Sequence, residues 1–315
     1  MKSVIVLIGM FSGYLAYHLK PASYEEGSCI TSDIPHFWEA VDALKEAKST
    51  EDSTRIVQAV YLDRMSKEGR KFLQIRRYTA PEYVRTILKY PRYLRQLRSK
   101  TENLSANVAA INQMFQKMKD AIPGYRVPKV CFAIGCIRGG GTVDNNVVLL
   151  GAEIALADSA MDFSEFKAGA VRDVLSKGIN LIALVAHESI HCQQHHAKTR
   201  NLLSVSIKEG AAEFLPALVL KNGWSTAPVE YGLAHECELW KSFEPNIKSD
   251  DFSQWLFNAG SIQGKPADLG YFVGLRICEA YYNKQTDKQQ AIKNMLDLSK
   301  YMEITAQSGY DGGCK

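Results

Sequence analysis

The sequence predicts an α+β protein, mostly helical, with a small sheet preceding a helix that carries a His-Glu-x-x-His motif. Three observations lead there. Long stretches repeat apolar residues at helical spacing; one short central stretch reads as strands around a glycine turn; and HESIH follows the apolar lead-in LIALVA. The chain has 315 residues, 46% hydrophobic and 23% charged, enough to bury a proper core. Its net charge of +4 gives no argument for a polyanionic partner.

Residues 1–27 carry a lysine at position 2 and run almost without polar residues from Val4 to Tyr17, as a signal-like or membrane-anchor segment does. The run is short for a span of about 20 apolar residues. It lacks a good small-x-small cleavage site, so an uncleaved anchor and a buried first element both stay open. Either export or attachment at the cell envelope follows from the signal reading, and a cytoplasmic location from the buried one. Cys29 lacks the apolar lead-in of a lipoprotein signal, and no acylation is expected there. Seven cysteines are scattered without close pairs; Cys131 and Cys136 could bridge a bend or fill a core.

Residues 28–120 form a helical amino-terminal region. Ser32 and Asp33 stand as caps, Pro35 falls in a first turn, and interruptions come near Ser49 to Ser53, Gly69, Pro81 and Pro91. YVRTILKYPRYLRQLRSK mixes basic residues with tyrosines. It reads as two helices with apolar stripes and solvated arginines; binding to membrane or nucleic acid is the rival reading, and no nucleic-acid fold motif supports it. Residues 121–305 hold the sheet and then the motif helices, packed with the first region as one unit, and 306–315 form a loose tail. VPKVCFAIG reads as a strand. Gly139, Gly140 and Gly141 make a turn that lacks the lysine of a phosphate loop and suits closely approached backbone, and NNVVLLGAEIAL again looks extended.

On a helix, His187 and His191 share one face and can bind one Zn²⁺, while Glu188 points at the water on the metal. The next helix supplies Glu209 as a third ligand, leaving a fourth position open as in catalytic zinc sites. Glu213, one turn on, can accept the free ring N–H of a ligating histidine, and Gly210 lets the two helices approach. His195 and His196 compete as ligands but read as rim residues, because a longer histidine motif would need a histidine where Ala197 stands.

HESIHCQQ with EGAAEF resembles the gluzincin metallopeptidases, and its EG-x-A form is similar to the aminopeptidase-N-like enzymes. TSDIPHFW, GGGTVDNNVVLLGAEIAL and KPADLGYFVGLRICEAYY together resemble a bacterial family of zinc-dependent proteases related to gliding-motility lipoproteins, whose members need not be enzymes. That resemblance spans about residues 28–300. It implies a gluzincin-like core in which His187, His191 and Glu209 bind zinc, Glu188 is the general base and Glu213 orients a ligand. It also implies that the strand at Asn145, Asn146, Val147 and Val148 is the edge that receives an extended peptide.

The expected reaction is hydrolysis of a peptide bond in a peptide or unfolded protein. Tyr271, at a helix start behind Asp268, is the candidate donor to the oxyanion, with Tyr231 and His235 as runners-up. Arg276 pairs with Glu279 or Glu213, or binds a substrate carboxylate. The rival to an enzyme is a non-catalytic envelope or motility protein that keeps the fold.

Overall fold

The computed structural model describes residues 29–195, 199–221, 226–259 and 261–314. The signal-like segment and His196 lie outside the described residues. Helices α1 (Asp33–Ala43), α2 (Thr50–Ile56), α3 (Lys67–Arg76), α4 (Ala80–Lys89), α5 (Pro91–Thr101) and α6 (Ser105–Ala121) fill the first region. Pro81 and Pro91 each stand in a first turn, where the missing N–H leaves no helical bond unmade. Ser49 and Ser66 cap α2 and α3 through their side chains. The expected caps of α1 behave differently: Ser32 makes no capping bond, and Asp33 is buried and instead accepts from the Ser66 amide at 2.6 Å and its hydroxyl at 2.8 Å.

The sheet has four strands, β1 (Cys29–Ile30), β2 (Lys129–Ala133), β3 (Gly141–Asp144) and β4 (Val147–Gly151), in the order β1-β2-β4-β3. β1 and β4 run parallel to β2, and β3 runs antiparallel to β4, with Val143 opposite Val148. This corrects the expected substrate edge. Val147 and Val148 belong to β4, which is paired on both sides; the outer strands are β1 and β3, and β3 is the one beside β4. Asn145 and Asn146 form the turn between them, Asn145 with a φ of 52° and Asn146 donating to the Val127 carbonyl at 3.1 Å. The stretch expected to stay extended ends at Gly151, and α7 (Ala152–Ala155) is a helical turn.

β1, contributed by residues ahead of α1, pairs with β2, so both regions share one sheet. Their buried side chains also form one core, which includes Phe37, Tyr61 and Tyr83 from the first region and Phe132 and Leu150 from the second. Tyr61 and Tyr83 each donate to the Ile134 carbonyl at 2.8 Å, fixing the end of β2 where the chain leaves for the glycine turn. The tyrosine-rich basic stretch divides by face: Tyr83 and Tyr93 are fully buried, while Arg98 grips Asp42 through two bonds of 2.9 Å.

The remaining helices are α8 (Ala170–Lys177), α9 (Leu181–His191), α10 (Leu202–Leu220), α11 (Ala227–Ala234), α12 (Glu236–Phe243), α13 (Leu269–Lys284), α14 (Lys288–Leu296) and α15 (Tyr301–Ser308). Gly210 permits a close approach, but to α13 and not to α9. A Cβ on Gly210 would lie 2.0 Å from the Gly274 carbonyl carbon, and one on Gly274 would lie 1.8 Å from the Ser206 oxygen. Helices α10 and α13 therefore touch backbone to backbone, which carries Tyr271 towards the ligands on α10. The tail is not loose. Cys314 is disulfide-bonded to Cys237, and the Tyr310 hydroxyl donates to Glu236 at 2.8 Å. Cys131 and Cys136 are free and buried. Among the described residues, no helix is long and apolar enough to cross a membrane.

Candidate metal centre

Helix α9 is started by Asn180, whose side chain accepts from the Ala183 amide at 3.1 Å. Its apolar face buries Leu181, Val185, Ala186 and Ile190, which turns His187 and His191 towards α10. Helix α10 starts from a reciprocal cap between Asn201 and Ser204, with bonds of 2.9 Å each way. Two firmly begun helices thus bring the three expected ligands together. His191 Nε2 lies 3.1 Å from His187 Nε2 and 3.0 Å from Glu209 Oε2, and His187 Nε2 lies 3.4 Å from the same oxygen.

Those spacings suit zinc. Zn–N and Zn–O bonds of about 2.0–2.1 Å at tetrahedral angles put neighbouring ligand atoms about 3.3 Å apart. The far atom of each of the three faces a polar partner. His191 Nδ1 sits 2.7 Å from Gln194 Oε1, and the Gln194 amide is itself oriented by donating to the Lys208 carbonyl at 2.8 Å. The Gln194 oxygen therefore takes the proton of Nδ1 and leaves the Nε2 lone pair facing the other ligands. His187 Nδ1 lies 3.0 Å from Glu213 Oε1, within ion-pair reach though off the line of a well-formed hydrogen bond. Lys208 Nζ holds Glu209 Oε1 at 3.0 Å, so that Oε2 is the oxygen turned inwards. Burial alone would push the Glu209 carboxyl up, but His191, His187 and Lys208 outweigh it and hold the group well below the usual carboxylate range. Burial likewise opposes charge on His187, yet Glu209 and Glu213 raise it well above its ordinary value. Two imidazoles and a carboxylate converging on one point form a donor set that fits a single divalent zinc.

Glu188 points to the sheet. A Cβ added to Gly141 would lie 2.7 Å from Glu188 Oε1 and 2.9 Å from its Cγ, so the first residue of β3 has to be glycine for this carboxylate to rest there. The Gly151 amide donates to the Gly140 carbonyl at 3.0 Å, and by the alternation of an antiparallel pair the backbone groups of Gly141 and Val143 turn to the open edge. Arg76 donates to the Gly141 carbonyl and fixes that end of the strand. Glu153 is fully buried and accepts from the amides of Gly135 at 2.7 Å and Ile137 at 3.1 Å, holding the run from β2 to β3. Burial pushes its carboxyl up to about 7, with those amides working the other way.

Tyr271 reaches the centre. Its ring stacks on His187, with centroids 6.1 Å apart and planes at 19°. Burial, then the carboxylates of Glu209 and Asp268, push its hydroxyl far up, so it stays protonated and able to donate. Tyr231 stacks on His235 at 4.3 Å, and His235 faces Glu238 at 3.4 Å. Arg276 pairs with Glu279 as expected, but its other partner is Glu236 at 2.7 Å and not Glu213. His195 is exposed and bound through its backbone to Leu296 and Leu298, and it is not among the three residues whose ligating atoms converge. Sequence reasoning missed Gln194 and Lys208, although Gln194 stands one turn beyond His191. It also missed Arg76, which carries no local signal.

No curated protein and no solved structure matches the chain. A family model described as gliding motility protein GldB matches residues 33–312, from the first helix to the disulfide-tied tail, and the chain belongs to that family.

Proposed function

We propose that this member of the gliding-motility family is a zinc-dependent peptidase that acts at the cell envelope on extended peptide segments. The observation that carries the reading is the triangle of His187 Nε2, His191 Nε2 and Glu209 Oε2 with Glu188 seated beside the open strand β3. When bound, zinc would supply a Lewis acid and a water acidic enough to react near neutral pH. Glu188 is the base that takes the proton from the attacking water and returns it to the leaving amine. Tyr271, kept protonated by its burial, donates to the oxyanion. The outward backbone groups of Val143 offer pairing to a peptide laid along the edge. Membership of a gliding-motility family supports the envelope location.

A second reading is a non-catalytic, motility-related envelope protein that keeps the zinc site for structure. The family match supports it more directly than it supports catalysis. Against it stands Glu188, since a structural metal has no use for a carboxylate held next to it and aimed at a strand edge. The deciding experiment compares the wild type with Glu188→Gln for bound zinc and for cleavage of an unstructured protein. Equal zinc with cleavage lost in the variant is the expected result; no cleavage by the zinc-loaded wild type of a broad peptide library would leave the second reading standing.

A further inference from the structure

Phe257 is the anomaly of the loop between α12 and α13. Its ring is 58% exposed, and its backbone is left-handed, with a φ of 56°. A bulky residue rarely adopts that conformation, and asparagine or glycine would sit there with less strain. The conformation is imposed from below. Asp268, at the start of α13, receives the Asn258 amide at 3.2 Å with the Phe257 amide beside it, and Asn258 Oδ1 receives the Asp268 amide at 2.8 Å. Asn258 also donates to the Ser253 carbonyl at 3.0 Å and is itself buried. This lock turns the ring of Phe257 outwards instead of into the core, so burial explains neither the residue nor its strain.

The ring is turned towards the metal centre. It meets Tyr271 edge to face, with centroids 6.3 Å apart and planes at 84°, and Tyr271 in turn stacks on His187 at 6.1 Å. On the other side it touches Phe252 at 6.1 Å, and the Arg200 guanidinium covers Phe252 at 4.8 Å. Phe252, Phe257 and Tyr271 therefore form a continuous aromatic shelf that ends at a ligand. We propose that Phe257 is the wall of an apolar subsite which selects peptides carrying a large apolar side chain, aromatic or branched aliphatic, next to the bond to be cut. This rests on the peptidase reading and names the class of segment it would take. The occupant is a substrate side chain because the shelf is continuous with the centre, through Tyr271 stacked on His187. An apolar side chain gains by leaving water against an aromatic face already held in place, whereas a polar one loses hydration and finds no hydrogen-bonding partner on the ring.

The test uses the full chain, zinc-loaded and carrying Glu188→Gln so that peptide stays intact. Binding of two fluorescent peptides of equal length is followed by anisotropy, one with a central phenylalanine and one with serine in its place. The phenylalanine peptide is expected to bind about ten- to a hundredfold more tightly. Adding Phe257→Asn should abolish that difference while the melting temperature stays equal or rises, because asparagine accepts the left-handed backbone. A purely structural Phe257 would instead lower the melting temperature and leave the preference in place. Discrimination that survives Phe257→Asn overturns the subsite and leaves the peptidase reading untouched. Failure of every peptide to bind also overturns it, and wild-type cleavage then decides separately whether the peptidase reading falls.

Discussion

On the side of the centre formed by α9 and α10, each of the three residues is met at its far atom by a side chain from the stretch between residues 194 and 213. Gln194 serves His191, Lys208 serves its neighbour Glu209, and Glu213 lies one turn beyond Glu209 against His187. The facing side is held through its backbone. Arg76 reaches Gly141 across 65 residues of chain, Glu153 holds the amides of Gly135 and Ile137, and Asp268 holds the amide of Asn258 beside Phe257. The difference separates two jobs. Side chains that meet the ligating groups set the strength and tautomers of a metal site, whereas a wall fixed through its backbone sets what can lie against it. Changes on the first side should therefore alter metal affinity, and changes on the second should alter stability and turnover at constant metal.

The largest effect expected on the wall is a pH dependence. The carboxyl of Glu153 stands at about 7 in the fold against an ordinary 4.5. A group raised in this way binds its proton more tightly when folded, so its stabilising contribution is complete below about 4.5 and is lost as pH rises towards about 7. The loss amounts to at most about 3 kcal/mol. Urea unfolding of the wild type and Glu153→Gln at matched pH values should show this slope in the wild type alone; equal slopes would mean the carboxylate is solvated in solution. Next in size, Gln194→Ala should weaken zinc about ten- to a hundredfold in competition with a chelator, as loss of a residue orienting a ligand does. Unchanged affinity would show that the tautomer of His191 is set some other way. The smallest effect tests the boundary between the two sides: Gly141→Ala pushes the Glu188 carboxylate from its seat and should slow peptide cleavage about tenfold with zinc content intact. Loss of zinc in that variant would join what the comparison separates.

The same division explains what was legible in the sequence. The convergence of His187, His191 and Glu209 follows from helical periodicity, which is local, so the grouping of HESIH with the glutamates of EGAAEF was readable from spacing. Tyr271 was readable as a tyrosine at a helix start, although its stacking on His187 depends on the Gly210–Gly274 contact, which no spacing announces. The edge strand was misassigned for a physical reason. VVLLG is an unbroken apolar run, the signature of a strand covered on both sides, and it lies inside the sheet; the short GTVD, with its glycine and its acid, is the edge. Cysteine spacing likewise could not pair Cys237 with Cys314 across 77 residues, and so the tail that this bond ties down read as loose.

The central claim is that His187, His191 and Glu209 hold one zinc ion, and its most direct test is a zinc titration of the full chain with and without Glu209→Ala. One equivalent bound tightly by the wild type, and a loss in Glu209→Ala greater than that expected for Gln194→Ala, is the predicted result. Absence of stoichiometric zinc in the wild type, or full binding by Glu209→Ala, would contradict it.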